Sequence, residues 1–219
     1  YALFYSALTR VQKPPHTALA HAMGSTIAKC RNEITEQALA EGVEWIWYVD
    51  DDQLFPVDTL LRLLARDVDV VSGLNLRRDP PYAPILFDRE EANGSVWPKC
   101  LESGDTGLQQ VLATGAGCLL VRTNVLKALE PPYWRLGQIG GVNGTEHAGE
   151  DIDFCRRVRA NGFKIWCDFD APIGHFTTMV VCPARDENGA WSTVLANKEG
   201  AAFFQLPPAQ PEKPWHVVV

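Results

Sequence analysis

The stretch from Val43 to Pro56 reads VEWIWYVDDDQLFP, and it decides the fold. The segment from Val43 to Val49 is short and rich in aromatic and β-branched residues, which predicts a buried strand. Three aspartates follow at once, and Pro56 suits the first turn of a helix. A strand that ends in carboxylates and leads into a helix is typical of an α/β protein that binds ligands beyond its strand ends.

Periodic segments surround this stretch. Ser25 is predicted to cap a helix that ends near Gly42, and the next predicted strand runs from Val68 to Ser72, ended by Gly73. A strand, a helix and a strand in this order imply parallel strands joined by a right-handed crossover. Further predicted elements are a helix at 1–10, strands at 85–87, 108–114, 116–122 and 163–169, a helix at 150–161 and a long loop at 130–149.

Composition limits the classes of function. Lys and Arg total 20 against 27 for Asp and Glu, a net charge of −7, which argues against a nucleic-acid surface but not against a phosphorylated ligand. The longest nearly uncharged apolar run, Val111 to Val121, is too short for a transmembrane helix. No secretory signal is visible, and six scattered cysteines without a C-x-x-C pair favour a cytoplasmic protein without structural zinc.

The acidic triplet Asp50, Asp51 and Asp52 is the first candidate site. Adjacent carboxylates repel one another, and a bound Mn²⁺ or Mg²⁺ would relieve that repulsion while contacting donor phosphates. The alternative is a solvated acidic turn. Because the triplet follows a buried strand directly, the sequence favours the cation site.

Two later segments carry further candidates. Glu150 and Asp151 open a predicted helix, where carboxylates either interact with the helix dipole or take a proton from an acceptor hydroxyl. Both interpretations stay open on the sequence alone. His175 is either a structural side chain or a third metal ligand, whose imidazole would suit Mn²⁺ better than Mg²⁺. The glycines of Thr114 to Gly117 either permit close ligand approach or form a bulge.

The ordered set of segments resembles the GT-A glycosyltransferases, especially the family 2-like inverting enzymes of bacteria and phages. The resemblance covers roughly Ser25 to Thr178. The segments that carry it are Cys30-Arg31-Asn32-Glu33-Ile34, Trp47 to Pro56 with its D-D-D run, Val70-Val71-Ser72-Gly73, Ala113-Thr114-Gly115-Ala116-Gly117-Cys118, Gly149-Glu150-Asp151-Ile152-Asp153-Phe154-Cys155 and Ile173-Gly174-His175.

The resemblance implies a fold and a site. It implies a Rossmann-like α/β catalytic domain, expected at residues 1–206, with a mostly parallel central sheet, flanking helices and a smaller antiparallel acceptor-side portion. The prolines after Leu206 indicate an extended, proline-rich tail at 207–219. The resemblance implies Asp151 as the general base, with Glu150 as its rival. The metal ligands would be Asp50, Asp52 and His175, and the donor-binding residues Arg31, Asn32, Asp50, Asp51, Gly115, Ala116 and Gly117.

The implied activity is transfer of a sugar from a nucleotide-sugar donor to a carbohydrate or other hydroxyl acceptor, dependent on Mn²⁺ or Mg²⁺ and with inversion. Relatives begin with a strand that cradles the nucleobase, whereas the segment from Tyr1 to Arg10 resembles the helix that follows it. That first strand is therefore expected to be missing, or the base to be held differently. Two other functions stay open, namely a nucleotidyltransferase and a non-catalytic carbohydrate- or cation-binding module.

Overall fold

The computed structural model describes residues 2–78, 82–92, 94–141, 144–178, 180–185, 191–197 and 200–205. The helices are α1 (Ala2–Arg10), α2 (Ile27–Glu41), α3 (Thr59–Ala65), α4 (Thr123–Lys127) and α5 (Glu150–Ala160). The strands are β1 (Trp45–Val49), β2 (Gln53–Leu54), β3 (Val70–Asn75), β4 (Leu86–Glu90), β5 (Val96–Pro98), β6 (Leu108–Val111), β7 (Ala113–Thr114), β8 (Cys118–Arg122), β9 (Gly137–Gly141), β10 (Gly144–Ala148), β11 (Ile165–His175), β12 (Val180–Arg185), β13 (Trp191–Asn197) and β14 (Gly200–Gln205).

The chain divides into two compact units, Tyr1–Phe176 and Thr177–Val219. The first unit contains a six-stranded sheet in the order β1-β8-β3-β11-β2, with β6 paired to β11 beside β2. It also contains a three-stranded antiparallel sheet, β5-β4-β7, and the hairpin β9–β10. In the second unit, β12, β13 and β14 form an antiparallel sheet. The predicted tail, 207–219, lies outside the described residues.

The α/β class is confirmed, but the prediction of a mostly parallel central sheet is wrong. Within the described residues, β3 and β11 form its one parallel pair. Strands β1 and β3 do run in the same direction, as the strand–helix–strand order predicts. They are not neighbours, however, because β8 lies between them and pairs antiparallel with both. The sequence between two strands does not show that a later strand will be inserted there.

Helix α2 forms close to where the sequence predicts it. Its N-cap is Thr26 rather than Ser25, and the Thr26 hydroxyl accepts a hydrogen bond of 3.3 Å from the backbone N–H of Lys29. At the other end Gly42 adopts φ 70°, and its N–H caps the last turn. These two ends fix the position of Arg31 along the helix.

Two hydrophobic clusters pack on opposite faces of the six-stranded sheet. Successive side chains of β8 point to opposite faces of the sheet. Leu119 and Val121 therefore belong to one cluster, and Cys118 and Leu120 belong to the other. Helices α2, α4 and α5 cover the first face, and α1 and α3 cover the second. The result is a layered α/β core in which the buried thiols behave as small apolar groups.

Two segments differ from their predicted structure. The predicted loop 130–149 contains the hairpin β9–β10 and carries Trp134, which is buried. Strand β11 does not end at Phe169 but continues to His175, so His175 lies on a strand rather than after a turn. Residues 169–171 form an irregularity that shifts the register of β11 against β3. That irregularity accommodates Pro172, which a regular inner strand would exclude.

No helix in the described part of the chain is both long and apolar enough to cross a membrane.

Candidate active site

The acidic turn after β1 lies beside the glycines that precede β8. Val49 pairs with Cys118, and the backbone N–H of Asp50 donates to the Gly117 carbonyl at 3.0 Å. A Cβ atom on Gly117 would lie 3.0 Å from Gln53 Nε2 and 3.3 Å from Asp50 Oδ2. Because β8 runs opposite to β1, it begins at the edge where β1 ends. Antiparallel pairing therefore brings these predicted site segments together.

The start of α5 reaches the same edge from the other side. The Cys155 thiol lies 3.7 Å from the Thr114 carbonyl, and a Cβ atom on Gly115 would lie 3.8 Å from Asp151 Oδ2. The run from Thr114 to Gly117 thus has the acidic turn at one end and the Asp151 carboxylate at the other. Ala116, within that run, is buried in the core.

Arg31 connects the two acidic groups. Its Nη2 donates to both carboxylate oxygens of Asp50, at 2.9 and 3.0 Å, and its Nη1 donates to Glu150 Oε1 at 2.7 Å. Arg31 is only 5% exposed. The two carboxylates compensate the positive charge of the buried guanidinium. Because the guanidinium is planar and rigid, it holds both carboxylates in fixed positions. The acidic turn and helix α5 are therefore joined by one side chain of α2.

A buried tryptophan supports Arg31. The Trp134 ring lies beneath the guanidinium, 5.1 Å from its carbon to the ring centroid, and stacks on Phe154 at 4.1 Å. Asn32 fixes this tryptophan, because its amide accepts from the Trp134 N–H at 3.0 Å and donates to the Trp134 carbonyl at 2.7 Å. Both predicted donor-binding residues of α2 thus make close contacts within the protein.

Glu150 and Asp151 are neighbours in different environments. Glu150 is in the ion pair with Arg31, whereas Asp151 accepts a hydrogen bond of 2.8 Å from the Ile152 N–H. Burial, and secondarily the negative charge of Glu150, raises the pKa of Asp151 to about 6. A carboxylate with a pKa near neutrality is a better proton acceptor than an ordinary one. Glu150 is therefore held in place by Arg31, whereas Asp151 is suited to accept a proton.

Asp52 and His175 meet at the end of β11. The ladder between β2 and β11 pairs His175 with Gln53, and the Phe176 N–H donates to the Asp52 carbonyl at 2.8 Å. His175 Nε2 then lies 3.3 Å from Asp52 Oδ2, and its Nδ1 lies 2.8 Å from the Leu76 carbonyl. A carbonyl can only accept, so the Nδ1 atom carries hydrogen and Nε2 faces the carboxylate.

The protonation state of His175 decides how it interacts with Asp52. In neutral His175 the Nε2 atom would present a lone pair to Asp52 Oδ2, and a proton or a metal ion between them removes the repulsion. The hydrogen bond from His175 is the largest effect holding the pKa of Asp52 below its usual value. Burial opposes protonation of His175, but its contacts with Asp52 and Leu76 outweigh burial and raise its pKa.

The residues present fit a divalent ion in part. Among the described residues, no three His, Cys, Asp or Glu side chains group closely enough to hold a metal. Asp52 and His175 supply one oxygen and one nitrogen, and the backbone carbonyl on Nδ1 is the usual support of a metal-bound imidazole. Mg²⁺ and Mn²⁺ sites that use one or two protein groups are completed by substrate phosphates. Asp50 is turned toward Arg31, and Asp51 is exposed.

Two neighbours of the site were not predicted from the sequence. They are Gln53, which is 1% exposed and donates to Asp52 Oδ1 at 3.3 Å, and the Leu76 carbonyl. Gln53 carried a usable signal, since an uncharged amide directly after three aspartates can hydrogen-bond a carboxylate. The position of Leu76 depends on contacts between distant segments and left no local signal.

Comparisons with known proteins give limited similarity. No protein-family model matches the chain. Over 104 residues, 48% of this chain, it is 34% identical to a protein from Oryza sativa subsp. japonica named "Probable mixed-linked glucan synthase 7". The chain spans only 12% of the length of that protein. The crystal structure of A197 from STIV matches 88% of this chain and 83% of that chain, with a TM-score of 0.50 and 14% identity. At this identity the likeness concerns the fold alone.

Proposed function

We propose that the chain is a glycosyltransferase that moves a sugar from a nucleotide-sugar donor to a hydroxyl acceptor, with inversion and with a divalent ion. The observation that carries the proposal is the arrangement at one sheet edge of Asp151, half-buried and with a pKa raised to about 6, and the Asp52–His175 pair. The name of the similar rice protein agrees with this class of enzyme. Six free cysteines agree with a cytoplasmic protein, which is part of the same proposal.

In this proposal Asp151 accepts the proton of the acceptor hydroxyl as its oxygen attacks the anomeric carbon. Glu150 is held in the ion pair with Arg31, so the proposal assigns the proton to Asp151. A single displacement with inversion needs one base, and the proposal gives that role to Asp151. Mn²⁺ or Mg²⁺, bound through Asp52 and His175, would stabilise the charge that develops on the leaving diphosphate.

Turnover of nucleotide sugars tests the proposal. The protein is incubated with a panel of nucleotide sugars and Mn²⁺ or Mg²⁺, with and without simple sugar acceptors, and free nucleoside diphosphate is measured. Release that depends on the ion and is lost in Asp151→Asn supports the transferase. Release of pyrophosphate from a nucleoside triphosphate and a sugar phosphate would indicate a nucleotidyltransferase instead. Binding of a nucleotide sugar without release of any product would indicate a non-catalytic module.

A further inference from the structure

One oxygen of Asp52 is shared by two partners. Asp52 Oδ2 accepts from Arg78 Nη1 at 2.9 Å and lies 3.3 Å from His175 Nε2. The other oxygen, Oδ1, accepts from Gln53 Nε2 at 3.3 Å. The Asp52 side chain is 17% exposed and that of His175 is 15% exposed, so this carboxylate sits in a partly enclosed position. A divalent ion bound to Asp52 Oδ2 would therefore be repelled by the Arg78 guanidinium on the same oxygen.

The three partners of Asp52 differ in how firmly they are held. His175 is fixed by its strand pairing and by the Leu76 carbonyl. Gln53 is buried, and its Oε1 has no hydrogen-bond partner among the described residues. A buried amide oxygen without a partner, on a side chain directed at Asp52, is a group that a cation or a bound water would satisfy. These two side chains would remain in place when an ion binds.

Arg78 is the partner that can leave. Its side chain is 51% exposed and contacts Asp52 through a single nitrogen, so water can replace the carboxylate at small cost. A guanidinium next to a metal-bound diphosphate would also gain a bidentate phosphate contact that it lacks on Asp52.

We propose that Arg78 is an exchangeable cation of this site. It pairs with Asp52 when no divalent ion is bound, and it moves onto the diphosphate of the donor when the ion takes its place on Asp52. Arg78 would thus oppose ion binding in the free protein and favour diphosphate binding in the loaded protein. The inference rests on the proposed function for the identity of the diphosphate, but not on catalytic turnover.

Two binding measurements with opposite expected signs test the exchange. Titration calorimetry with Mn²⁺ alone is expected to give a dissociation constant about two- to fivefold lower for Arg78→Gln than for the unmodified protein, the size expected for an exposed ion pair. Titration with uridine, guanosine and adenosine diphosphates in saturating Mn²⁺ is expected to give binding at least about tenfold weaker for the same variant, as for loss of a charge-assisted hydrogen bond.

Matched controls separate exchange from general electrostatics. Arg77→Gln makes the same change of charge one residue away and should leave both constants within about twofold, as for a surface change. Asp52→Asn should abolish Mn²⁺ binding. The exchange would be overturned if Arg78→Gln bound Mn²⁺ more weakly than, or as tightly as, the unmodified protein. It would also be overturned if Arg77→Gln changed both constants as much as Arg78→Gln does. A third contrary result is that none of the three diphosphates binds Arg78→Gln differently from the unmodified protein. Undetectable Mn²⁺ binding in every variant would also overturn the exchange. If both expected changes occur but no nucleotide sugar is consumed, the exchange stands and the proposed transferase fails.

Discussion

Arg31 and Glu150 lie 119 residues apart in the chain and form an ion pair of 2.7 Å at the edge of the sheet. The same guanidinium holds Asp50 with its other nitrogen. This pair gives two adjacent carboxylates different surroundings, because Glu150 forms an ion pair with Arg31 and Asp151 forms none with the described residues. The difference is the basis for assigning the base.

Asp151→Asn is expected to lower turnover by roughly 10²–10⁴-fold, the usual contribution of a general base. Donor and metal binding should change little, since none of the contacts of Asp151 in the described part of the chain involves Asp52 or His175. Steady-state kinetics and calorimetry measure the two effects separately. Glu150→Gln is the matched comparison, and a larger loss of turnover in that variant would transfer the role of base to Glu150.

The pH dependence of kcat/KM should show an acid limb near pH 6, because the pKa of Asp151 is raised to about 6. The proposed base acts in its ionised form. Below this pKa the protonated fraction grows, so the rate should fall by about tenfold per pH unit. The residual activity of Asp151→Asn should lack this limb. A rate that is constant between pH 5 and 7 would contradict the assignment.

Arg31→Ala should destabilise the protein by about 2–4 kcal/mol. Removing one partner of a fully buried ion pair costs about 3–5 kcal/mol, and Asp50 and Glu150 keep partial contact with solvent, which reduces that cost. Urea denaturation measures the change. Arg62→Ala is the control, because its pair with Asp58 is exposed and its loss should change the free energy of unfolding much less. Equal losses of stability in Arg31→Ala and Arg62→Ala would contradict the contribution assigned to the buried ion pairs of Arg31.

Gly73→Ala should destabilise the protein by about 1–3 kcal/mol through overpacking. A Cβ atom at this position would lie 2.5 Å from Ile173 Cγ1 and 3.0 Å from the Ala171 carbonyl oxygen, where the irregular part of β11 approaches β3. Gly104→Ala is the control, since a Cβ atom there would have no described atom within 4 Å apart from its chain neighbours. If the two variants unfolded at the same temperature, the close approach of β11 to Gly73 would be contradicted.

Local elements of the fold could be predicted from the sequence because short-range physics determines them. The helix from Ile27 to Glu41 has a side-chain cap and a left-handed glycine at its ends, and β1 is a compact aromatic and β-branched run. The acidic triplet was placed at a strand end because it follows that run directly. These predictions needed only residues close together in the chain.

The remaining features depend on pairing between distant segments. Gly73 was predicted to end a strand, but it lies inside β3, since it gives room to Ala171 and Ile173. The insertion of β8 and the continuation of β11 to His175 are likewise tertiary effects. The roles of Asp50, Asp51, Asp52 and His175 in metal binding, and of Arg31 and Asn32 in donor binding, stay predictions.

The wide spacing of the site segments along the chain also bears on folding. Asp50, Asp51 and Asp52 leave the ribosome before β8, the start of α5 and the end of β11, because all of these segments follow them in the sequence. His175 lies 123 residues after Asp52. The contact between these two side chains therefore requires closure of a long loop, and pairing between distant segments of this kind slows the folding of sheets.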